Sequence, residues 1–422
     1  METRLDTKRH PCFNVAVKGE CGRVHLPVAP KCNILCNYCN RKYDCVNESR
    51  PGVTSAVLTP AQAVAYLEQV LAKEPRITVA GIAGPGDPFA NPRETMETIR
   101  LVRKNFPRLL LCLATNGLGI LPYVRELADL GVTHVTITVN AVDPEIGRQI
   151  YSWARDGKVV RRGLTAAELL LLRQLEAITA LKSLGIIVKV NTIIIPGIND
   201  RHVNAVARKM AALGVDMFNC MPVYPNADTP FADVPEPTAA QMGSLRDDAE
   251  AFLPQMRHCT RCRADAVGLL DADRTDELHG CLTSCARLVP GDADKPYVAV
   301  ATKEGMLVNL HLGEAPSFQI WENNGHGFKL VEERLAPPAG GGSQRWWDLA
   351  EILKDCRAVL VNALGETPRA ILEECGIQPL EISGFIEMAL QAVYLGGPVE
   401  ILKGRSQGLA KSCPGSGRGC DS

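Results

Sequence analysis

Short apolar runs alternate with longer amphipathic stretches between about residues 24 and 225, and this alternation constrains the fold most. The six runs are RVHLPVAP, RITVAGIAG, LLLCLATNG, HVTITVN, IIVKVNTIII and DMFNCMPVYP. Among the helix candidates between them, TPAQAVAYLEQVLAKE begins with Thr59 as N-cap and Pro60 at the first position, and TAAELLLLRQLEAITALKSLG is closed by Gly185. Strands that alternate with helices form parallel sheets. Six such units predict an α/β fold, a partial (β/α)6 TIM-type barrel rather than a closed barrel of eight strands.

The charge balance gives no reason to expect a nucleic-acid or membrane partner. The 422 residues include 46 basic and 47 acidic side chains, for a formal net charge of −1. The first residues, METRLDTKRHPC, contain no apolar core of a secretion signal, and GIIVKVNTIIIPGI is interrupted by Lys189 and Asn191. We therefore expect a cytoplasmic protein.

Polar and glycine-rich residues follow several of the predicted strands. In βα barrels the chemistry lies at the C-terminal ends of the strands. The residues there are Gly84, Pro85, Gly86, Asp87, Thr115, Asn116, Asn140 and Asn191. Their composition predicts a ligand site at this end of the barrel.

The chain is divided by breaks in this pattern. The charged stretch WARDGKVVRRG at 153–163 predicts a solvated loop, with a lid as the alternative, and the periodicity stops after a helix near 238–256. A second βα pattern of about 105 residues starts at Tyr297. We predict an N-terminal arm at 1–23, a core at 24–262, a linker at 263–292, a second domain at 293–402 and a flexible tail at 403–422.

Sixteen cysteines in a long chain without a secretion signal favour metal binding over disulfides. Cys32, Cys36 and Cys39 follow the first predicted strand with the spacing C-x3-C-x2-C, and Tyr38 lies between the last two. A structural zinc site needs four ligands, whereas an iron–sulfur cube bound by three thiolates leaves one iron open. The spacing therefore predicts a four-iron cluster that offers one iron to a ligand.

These three cysteines resemble the signature of the radical S-adenosylmethionine (radical SAM) superfamily. The resemblance implies that the cluster binds SAM and that reductive cleavage gives a 5′-deoxyadenosyl radical. The segment AGPGDP resembles the motif whose backbone meets the SAM amino group, although Gly86-Asp87 replaces its usual acidic third position. ATNG and Asn140 resemble the ribose and carboxylate contacts. We therefore expect the strand-end residues above and Tyr38 to contact the cofactor.

A narrower resemblance covers about residues 10 to 270. The segments HPCFN, CNYCNRKYDCVNESRPGV, LCLATNG, VKVNTIIIPGIND and HCTRCRADAVGLL are similar to those of the NifB family, which matures the nitrogenase cofactor. Membership would imply three [4Fe-4S] clusters, one that binds SAM and two auxiliary clusters that serve as substrates. The two are fused with a SAM-derived carbide and an added sulfur into the 8Fe-9S-C precursor. A low-potential electron donor, an iron–sulfur cluster donor scaffold and a downstream cofactor carrier would be the partners.

The resemblance also implies ligands for the auxiliary clusters. Cys12, Cys45 and Cys112 would hold one, with His10 or another nearby imidazole as a replaceable ligand, and Cys259 and Cys262 suit the other. Cys21 stands where the family has an acidic, histidine-containing stretch, so it is a candidate substitute ligand.

Other interpretations of these residues stay open. A four-cysteine zinc site could join Cys259 and Cys262 to Cys281 and Cys285. His25, inside a predicted strand, is interpreted as a core or supporting histidine. Glu48 is a candidate proton relay, with a turn or capping role as the alternative.

The second domain also carries a resemblance. LVNLHLGEAPSFQIWE is similar to NifX-type cofactor-binding domains, which have a small ribonuclease-H-like α/β fold. His311 in this segment is a candidate ligand for the product cluster, and a structural role is the alternative.

Two other functions compete with cofactor maturation. One is a radical SAM enzyme that modifies a peptide or small molecule and uses auxiliary clusters only for electron transfer. The other is a non-enzymatic metallocluster carrier or zinc scaffold. The identity of the reaction product distinguishes the peptide- or small-molecule-modifying enzyme from a cofactor maturase. Cleavage of SAM would exclude a non-enzymatic carrier or scaffold.

Overall fold

The computed structural model describes residues 5–45, 47, 53–54, 56–286, 288–289, 294–324 and 327–395. The chain divides into two compact units, Met1–Leu282 and Thr283–Ser422. Glu48 and the tail predicted to be flexible lie outside the described residues.

The first unit alternates strands with helices in the predicted order. Its strands are β1 (Gly22–His25), β2 (Ile34–Cys36), β3 (Ile77–Ile82), β4 (Leu110–Thr115), β5 (Val132–Thr138), β6 (Tyr151–Asp156), β7 (Val159–Arg162), β8 (Ile187–Ile194), β9 (Met217–Pro222) and β10 (Val267–Gly268). Its helices are α1 (Pro60–Lys73), α2 (Pro92–Asn105), α3 (Val124–Asp129), α4 (Pro144–Ile150), α5 (Gly163–Ser183), α6 (Val203–Ala212), α7 (Ala239–Glu250) and α8 (Thr275–Cys285), the last of which extends past Leu282.

Seven of these strands form the barrel sheet, in the order β10-β1-β3-β4-β5-β8-β9. The pairs from β1 to β9 are parallel, and β10 pairs antiparallel with β1. The six predicted strands and the partial barrel are confirmed. Because parallel neighbours place their carboxyl ends at one edge, the loops after β3, β4, β5 and β8 meet there.

The predicted start of α1 is confirmed. Thr59 accepts a hydrogen bond from the backbone N–H of Gln62, and Gln62 reciprocates in a capping box. The helix buries Ala63, Leu67 and Val70. Its N-terminus is therefore defined by local chemistry and its orientation by an apolar face.

The stretch at 153–163, predicted to be a loop, is instead a β-hairpin. Strands β6 and β7 pair antiparallel around a turn where Gly157 has φ 59°, and β6 also pairs with β2. All four residues of β7 are exposed, so the strand has no alternation of apolar and polar residues. The prediction failed because backbone pairing, and not a buried face, defines this strand.

Part of the segment predicted to be a linker is folded. Residues 267–268 form β10 on the barrel sheet, and residues 275–285 form α8. Arg274 donates to the carbonyl of Lys73 and to the Glu74 carboxylate at the end of α1. Residues 267–274 are therefore part of the folded first unit.

The second unit is a mixed α/β domain. Its elements are β11 (Tyr297–Val300), β12 (Leu307–Val308), β13 (Ser317–Asn323), β14 (Phe328–Leu335), α9 (Gln344–Ile352), β15 (Cys356–Val361), α10 (Glu366–Glu374), β16 (Gln378–Glu381), β17 (Gly384–Phe385) and α11 (Ile386–Leu395). The main sheet has the order β14-β13-β11-β15-β16, with β13 antiparallel to both neighbours. This is the strand order of the predicted ribonuclease-H-like fold.

Within the described part of the chain, none of the helices has the length and apolar character needed to cross a membrane.

Candidate functional site

A first cavity surrounds the three cysteines of the C-x3-C-x2-C motif, and we call it the triad cavity. It is lined by Cys32, Ile34, Cys36, Tyr38, Cys39, Arg41, Cys45, Asn47, Gly86, Asp87, Ala114, Thr115 and Asn116. The motif and the loops after β3 and β4 thus meet here.

The three thiols of the motif are suited to an iron cluster. Burial raises the pKa of Cys32 to about 12, and burial also raises the pKa values of Cys36 and Cys39 above the ordinary value. A bound cationic metal would compensate the charge of the thiolates and favour their deprotonation. The side-chain amides of Asn47 and Asn116 lie 3.7 Å from Cys36 Sγ and 3.9 Å from Cys32 Sγ, where they donate N–H to sulfur.

The loop after β3 packs tightly against the motif. Gly86 N–H donates to the carbonyl of Ala29 at 2.6 Å, and Asp87 N–H donates to that of Lys31 at 2.8 Å. A Cβ on Gly86 would lie 2.1 Å from the Lys31 carbonyl oxygen. Only glycine therefore allows this loop to approach the cysteines so closely.

Asp87 joins the loops after β3 and β4. Its carboxylate accepts hydrogen bonds from the backbone N–H groups of Phe89 (2.8 Å) and Asn116 (2.7 Å), and from Thr115 Oγ1 at 2.9 Å. Asp87 and Thr115 were both predicted to contact the cofactor. In this structure they hydrogen-bond each other and hold the wall of the cavity.

A buried network stands behind Tyr38. Asn140 donates to Tyr38 Oη at 2.7 Å and accepts from the backbone N–H of Ile193, and the Tyr38 hydroxyl donates to Asn47. Asn140, predicted to contact the cofactor, hydrogen-bonds Tyr38 and the backbone of Ile193 in this structure. Asn191 donates to the Asn47 carbonyl at 3.2 Å and lines a second cavity.

We call this second cavity, inside the barrel, the lumen cavity; it has about 660 Å³ of empty space, part of it open to solvent. It brings together cysteines from distant parts of the chain with two histidines and two cations. These are Cys12, Cys112, Cys259, Cys262, His10, His25, Arg23 and Lys189. Ala114 lines both cavities, so they adjoin.

The three cysteines predicted to share one auxiliary cluster line two adjoining cavities. Cys45 lines the triad cavity, and its backbone N–H donates to the Pro85 carbonyl, whereas Cys12 and Cys112 line the lumen cavity. Burial and the neighbouring Cys262 and Cys259 raise the pKa of Cys12 to about 11, against the opposing charge of Lys189. Cys12 therefore lies near Cys259 and Cys262 in the lumen cavity.

Cys21 does not reach either cavity. It is buried immediately before β1, and neither cavity is lined by it. Gly84 and Pro85 likewise lie outside the lining of both cavities, while the Pro85 carbonyl accepts a hydrogen bond from Arg41.

The sequence patterns did not predict a role for the two buried cations of the lumen cavity. Arg23 donates to Cys262 Sγ at 3.3 and 3.2 Å, to the Gly268 carbonyl at 2.6 Å and to Asp273 at 2.8 Å. Lys189 Nζ lies 3.6 Å from Met256 Sδ. Each charge lies on a mostly buried strand of the barrel sheet, and a charged residue in such a strand is a usable signal in the sequence. The two cations make the lumen favourable for an anionic occupant.

The imidazoles of His10 and His25 in the lumen cavity differ in which ring nitrogen has a lone pair available to bind a metal. His10 Nδ1 accepts from the backbone N–H of Cys12 at 3.2 Å, so in the neutral ring Nε2 carries the proton. His25 Nδ1 lies 2.8 Å from the Arg263 carbonyl, which only accepts, so His25 Nε2 holds a free lone pair. Burial lowers the pKa of His25 to about 4, which keeps the ring neutral. A backbone carbonyl on the other nitrogen is the usual arrangement of a metal-ligating histidine.

His25 and Cys112 share one row across the sheet. His25 is in register with Gly81, and Gly81 with Cys112. A Cβ on Gly81 would lie 3.2 Å from His25 Cδ2, so the glycine leaves space between the two side chains. The imidazole and the thiol thus flank a gap on the inner wall.

The zinc alternative receives no support from the arrangement of the side chains. Across the described ranges, no three His, Cys, Asp or Glu side chains are grouped to hold a single metal ion. Cys259 and Cys262 line the lumen, whereas Cys281 on α8 accepts from Lys73 Nζ at 3.0 Å. Neither Cys281 nor Cys285, both on α8, is among the residues that line the lumen cavity.

His311 in the second unit caps a turn. Its Nδ1 accepts from the backbone N–H of Gly313 at 3.1 Å, so in the neutral ring Nε2 carries the proton. Ligation of a metal through Nε2 would require the ring to release this bond.

Two protein-family models match this sequence, and the first of them covers the three cysteines of the triad cavity. Residues 26–210 match the Radical SAM superfamily model, and residues 294–396 match the model described as "Dinitrogenase iron-molybdenum cofactor". The first unit is therefore a radical SAM domain. The SuiB crystal structure from Streptococcus suis aligns with a TM-score of 0.41 at 10% identity over 55% of this chain and 48% of that chain, too low to add to the argument.

Full-length relatives narrow the assignment. The "FeMo cofactor biosynthesis protein NifB" of Chlorobaculum tepidum is 52% identical over 99% of this chain and 100% of the relative. The protein of the same name from Klebsiella pneumoniae is 40% identical over 88% of this chain and 86% of the relative. The chain belongs to the NifB family.

Proposed function

We propose that this chain fuses two four-iron clusters with a SAM-derived carbide and an added sulfur into the 8Fe-9S-C precursor of the nitrogenase cofactor. The observation that carries the proposal is the adjacency of the two cavities at Ala114. The pocket that suits the SAM-binding cofactor opens beside a lumen lined by four further cysteines. A product assembled from two clusters needs such a space next to the source of its carbon.

In the triad cavity, a four-iron cofactor held by Cys32, Cys36 and Cys39 would supply the electron that cleaves SAM to the 5′-deoxyadenosyl radical. The amides of Asn47 and Asn116 stabilise the thiolates by N–H donation. The backbone around Gly86 forms the wall that would meet the SAM amino group, and Asp87 keeps this wall in place.

In the lumen cavity, the two substrate clusters would have different ligands. Cys12, Cys259 and Cys262 would hold one cluster, and Cys112 with His25 would hold the other across the gap at Gly81. Arg23 and Lys189 compensate the charge of the thiolates. An imidazole is neutral and exchangeable, which suits a cluster that must leave its site.

The reaction is tested by anaerobic reconstitution with iron, sulfide and SAM. We expect two four-iron signals to be replaced by one larger cluster that activates apo-nitrogenase, and Cys36→Ala to block this conversion. Recovery of a modified peptide, or retention of both four-iron signals while 5′-deoxyadenosine accumulates, would exclude the proposal.

The ligand assignment has a separate test. Pulsed electron paramagnetic resonance should detect a nitrogen coupled to a reduced lumen cluster. We expect His25→Gln to remove the coupling and His10→Gln, its matched control, to retain it. The opposite result would assign the ligand to His10.

The second unit suggests cofactor carrier partners, since it matches a nitrogenase cofactor-binding family. We propose that it receives the product, with His311 as a ligand after its ring rotates. The remaining proposed partners are a low-potential electron donor, an iron–sulfur cluster donor scaffold and a downstream cofactor carrier.

A further inference from the structure

The outer face of the three-stranded sheet β2-β6-β7 is formed by five residues, which we call the hairpin patch. Cross-strand register places Leu35 opposite Trp153, Trp153 opposite Arg162, and Arg155 opposite Val160. Residues directly opposite each other in a sheet share one face. Leu35, Trp153, Arg155, Val160 and Arg162 therefore lie together, while the buried Ala154 faces the core.

The patch has the composition of an interface. Arg155, Val160 and Arg162 are exposed, Val160 by 42%, and the Arg155 guanidinium lies 5.9 Å from the centre of the Trp153 ring. Tryptophan and arginine are enriched where proteins bind each other. Arginines on an edge strand also prevent unwanted strand pairing, but this role does not require a tryptophan and a valine on the same face.

The charge of the hairpin is positive. Arg155, Lys158, Arg161 and Arg162 are exposed, and the single acidic residue of the hairpin, Asp156, is 3.5 Å from Arg173. A surface of this sign attracts an acidic partner and accelerates its association at low salt.

The patch lies on the face of β2 opposite to Ile34 and Cys36, which line the triad cavity. Strand β2 carries both Leu35 of the patch and Cys36, which lines that cavity. The backbone N–H of Arg155 also donates to the carbonyl of Asn33, next to Cys32, at 2.8 Å. A protein bound here would thus be separated from the cofactor pocket by one strand.

We propose that the hairpin patch docks an acidic, low-potential electron-carrier protein that reduces the SAM-binding cofactor. The carrier loses one electron, and the cofactor held by the three cysteines gains it. This inference rests on the radical function proposed above and names the surface through which it is supplied with electrons.

The test compares charge reversals on the two faces of one strand. Arg162→Glu changes the patch, and Arg161→Glu makes the same change on the opposite face of β7 as a matched control. Binding of an acidic flavodoxin to each holoprotein is measured by calorimetry at low and high salt. The rate of 5′-deoxyadenosine formation is measured with reduced flavodoxin and, separately, with dithionite.

We expect Arg162→Glu to weaken flavodoxin binding about tenfold at low salt and to flatten its salt dependence. Arg161→Glu should change binding by less than about twofold. Dithionite-driven turnover should be equal in all three proteins. Adding Arg155→Glu to Arg162→Glu should weaken binding further.

Equal weakening by both reversals, or unchanged binding in Arg155→Glu/Arg162→Glu, would overturn the docking site. A change of oligomeric state in Arg162→Glu would assign the patch to a second copy of the chain and also overturn it. Wild-type protein that fails to cleave SAM with dithionite would instead count against the proposed function, so the two failures are distinguishable.

Discussion

The triad cavity and the lumen cavity are both lined by cysteines, but the chain assembles them in different ways. Cys32, Cys36 and Cys39 come from eight consecutive residues, and the donors near their sulfur atoms are the neutral amides of Asn47 and Asn116 and the exposed Arg41. The lumen cysteines come from the N-terminal arm, from β4 and from the segment after α7, and they lie near buried cations. The proposed cofactor site is thus formed by a local motif, whereas the proposed substrate space is formed by tertiary contacts.

This difference predicts that iron can be removed from one cavity without loss of iron from the other. Cys36→Ala should reduce 5′-deoxyadenosine formation to background and remove about four iron atoms per chain, because three thiolates are needed for a stable cube. Iron in the lumen should remain. Iron analysis and product chromatography measure both effects.

Cys220→Ala is the control for this experiment. Cys220 is fully buried on β9 and lines neither cavity, so its removal should change neither readout. Loss of all iron in Cys36→Ala would contradict the independence of the two cavities.

Arg23→Met should reduce iron binding in the lumen cavity without changing SAM binding in the triad cavity. The substitution removes donors to Cys262, the Gly268 carbonyl and Asp273, and we expect a loss of about 3 kcal/mol in the free energy of unfolding. Lumen iron should decrease while SAM binding is retained. Denaturant titration and iron analysis provide the measurements.

The partly exposed pair of Arg369 and Glu381 supplies the control for this change. Arg369→Met should cost less than about 1 kcal/mol, because such pairs are screened by solvent. If Arg23→Met lowered SAM binding as strongly as lumen iron, the two cavities would not be separable.

Glu74→Gln tests how the segment after the barrel is held. Hydrogen bonds from Arg76 and then Arg274 lower the pKa of the Glu74 carboxyl from its ordinary value of 4.5 to about 2. Because the folded pKa is lowered, the stabilisation is fully present above about pH 4.5 and is lost as the pH falls towards 2. We expect Glu74→Gln to cost about 2 kcal/mol at pH 7, after discounting for the exposed Arg76, and progressively less below pH 4.5.

Thermal unfolding followed between pH 7 and pH 3 measures this effect. Glu97→Gln, which removes an exposed carboxylate paired with Arg100, is the control and should show little change at any pH. A cost for Glu74→Gln that stayed constant from pH 7 to pH 3 would argue against the assigned charge.

The smallest effect is expected for Cys21→Ala. This thiol is buried outside both cavities, so its removal should leave iron content unchanged and cost about 1 kcal/mol of packing energy. A decrease in iron would restore Cys21 as a ligand.

The sequence alone determined the parts of this protein that depend on local chemistry. The strand and helix periodicities predicted the barrel, the residues around Thr59 predicted a helix start, and the spacing of Cys32, Cys36 and Cys39 predicted a cofactor site. Each of these signals lies within a short window, where chain geometry relates residue spacing to structure.

Only the tertiary structure decided which distant residues meet. It placed Cys12 with Cys259 and Cys262, placed Cys45 in the other cavity, and revealed that His25 has the tautomer of a ligand. It also showed that the charged stretch at 153–163 is part of a hairpin. The hairpin pairs with β2, which is distant in the sequence. Such contacts depend on sheet register and on backbone hydrogen bonds, and neither can be determined from residue types within a short window.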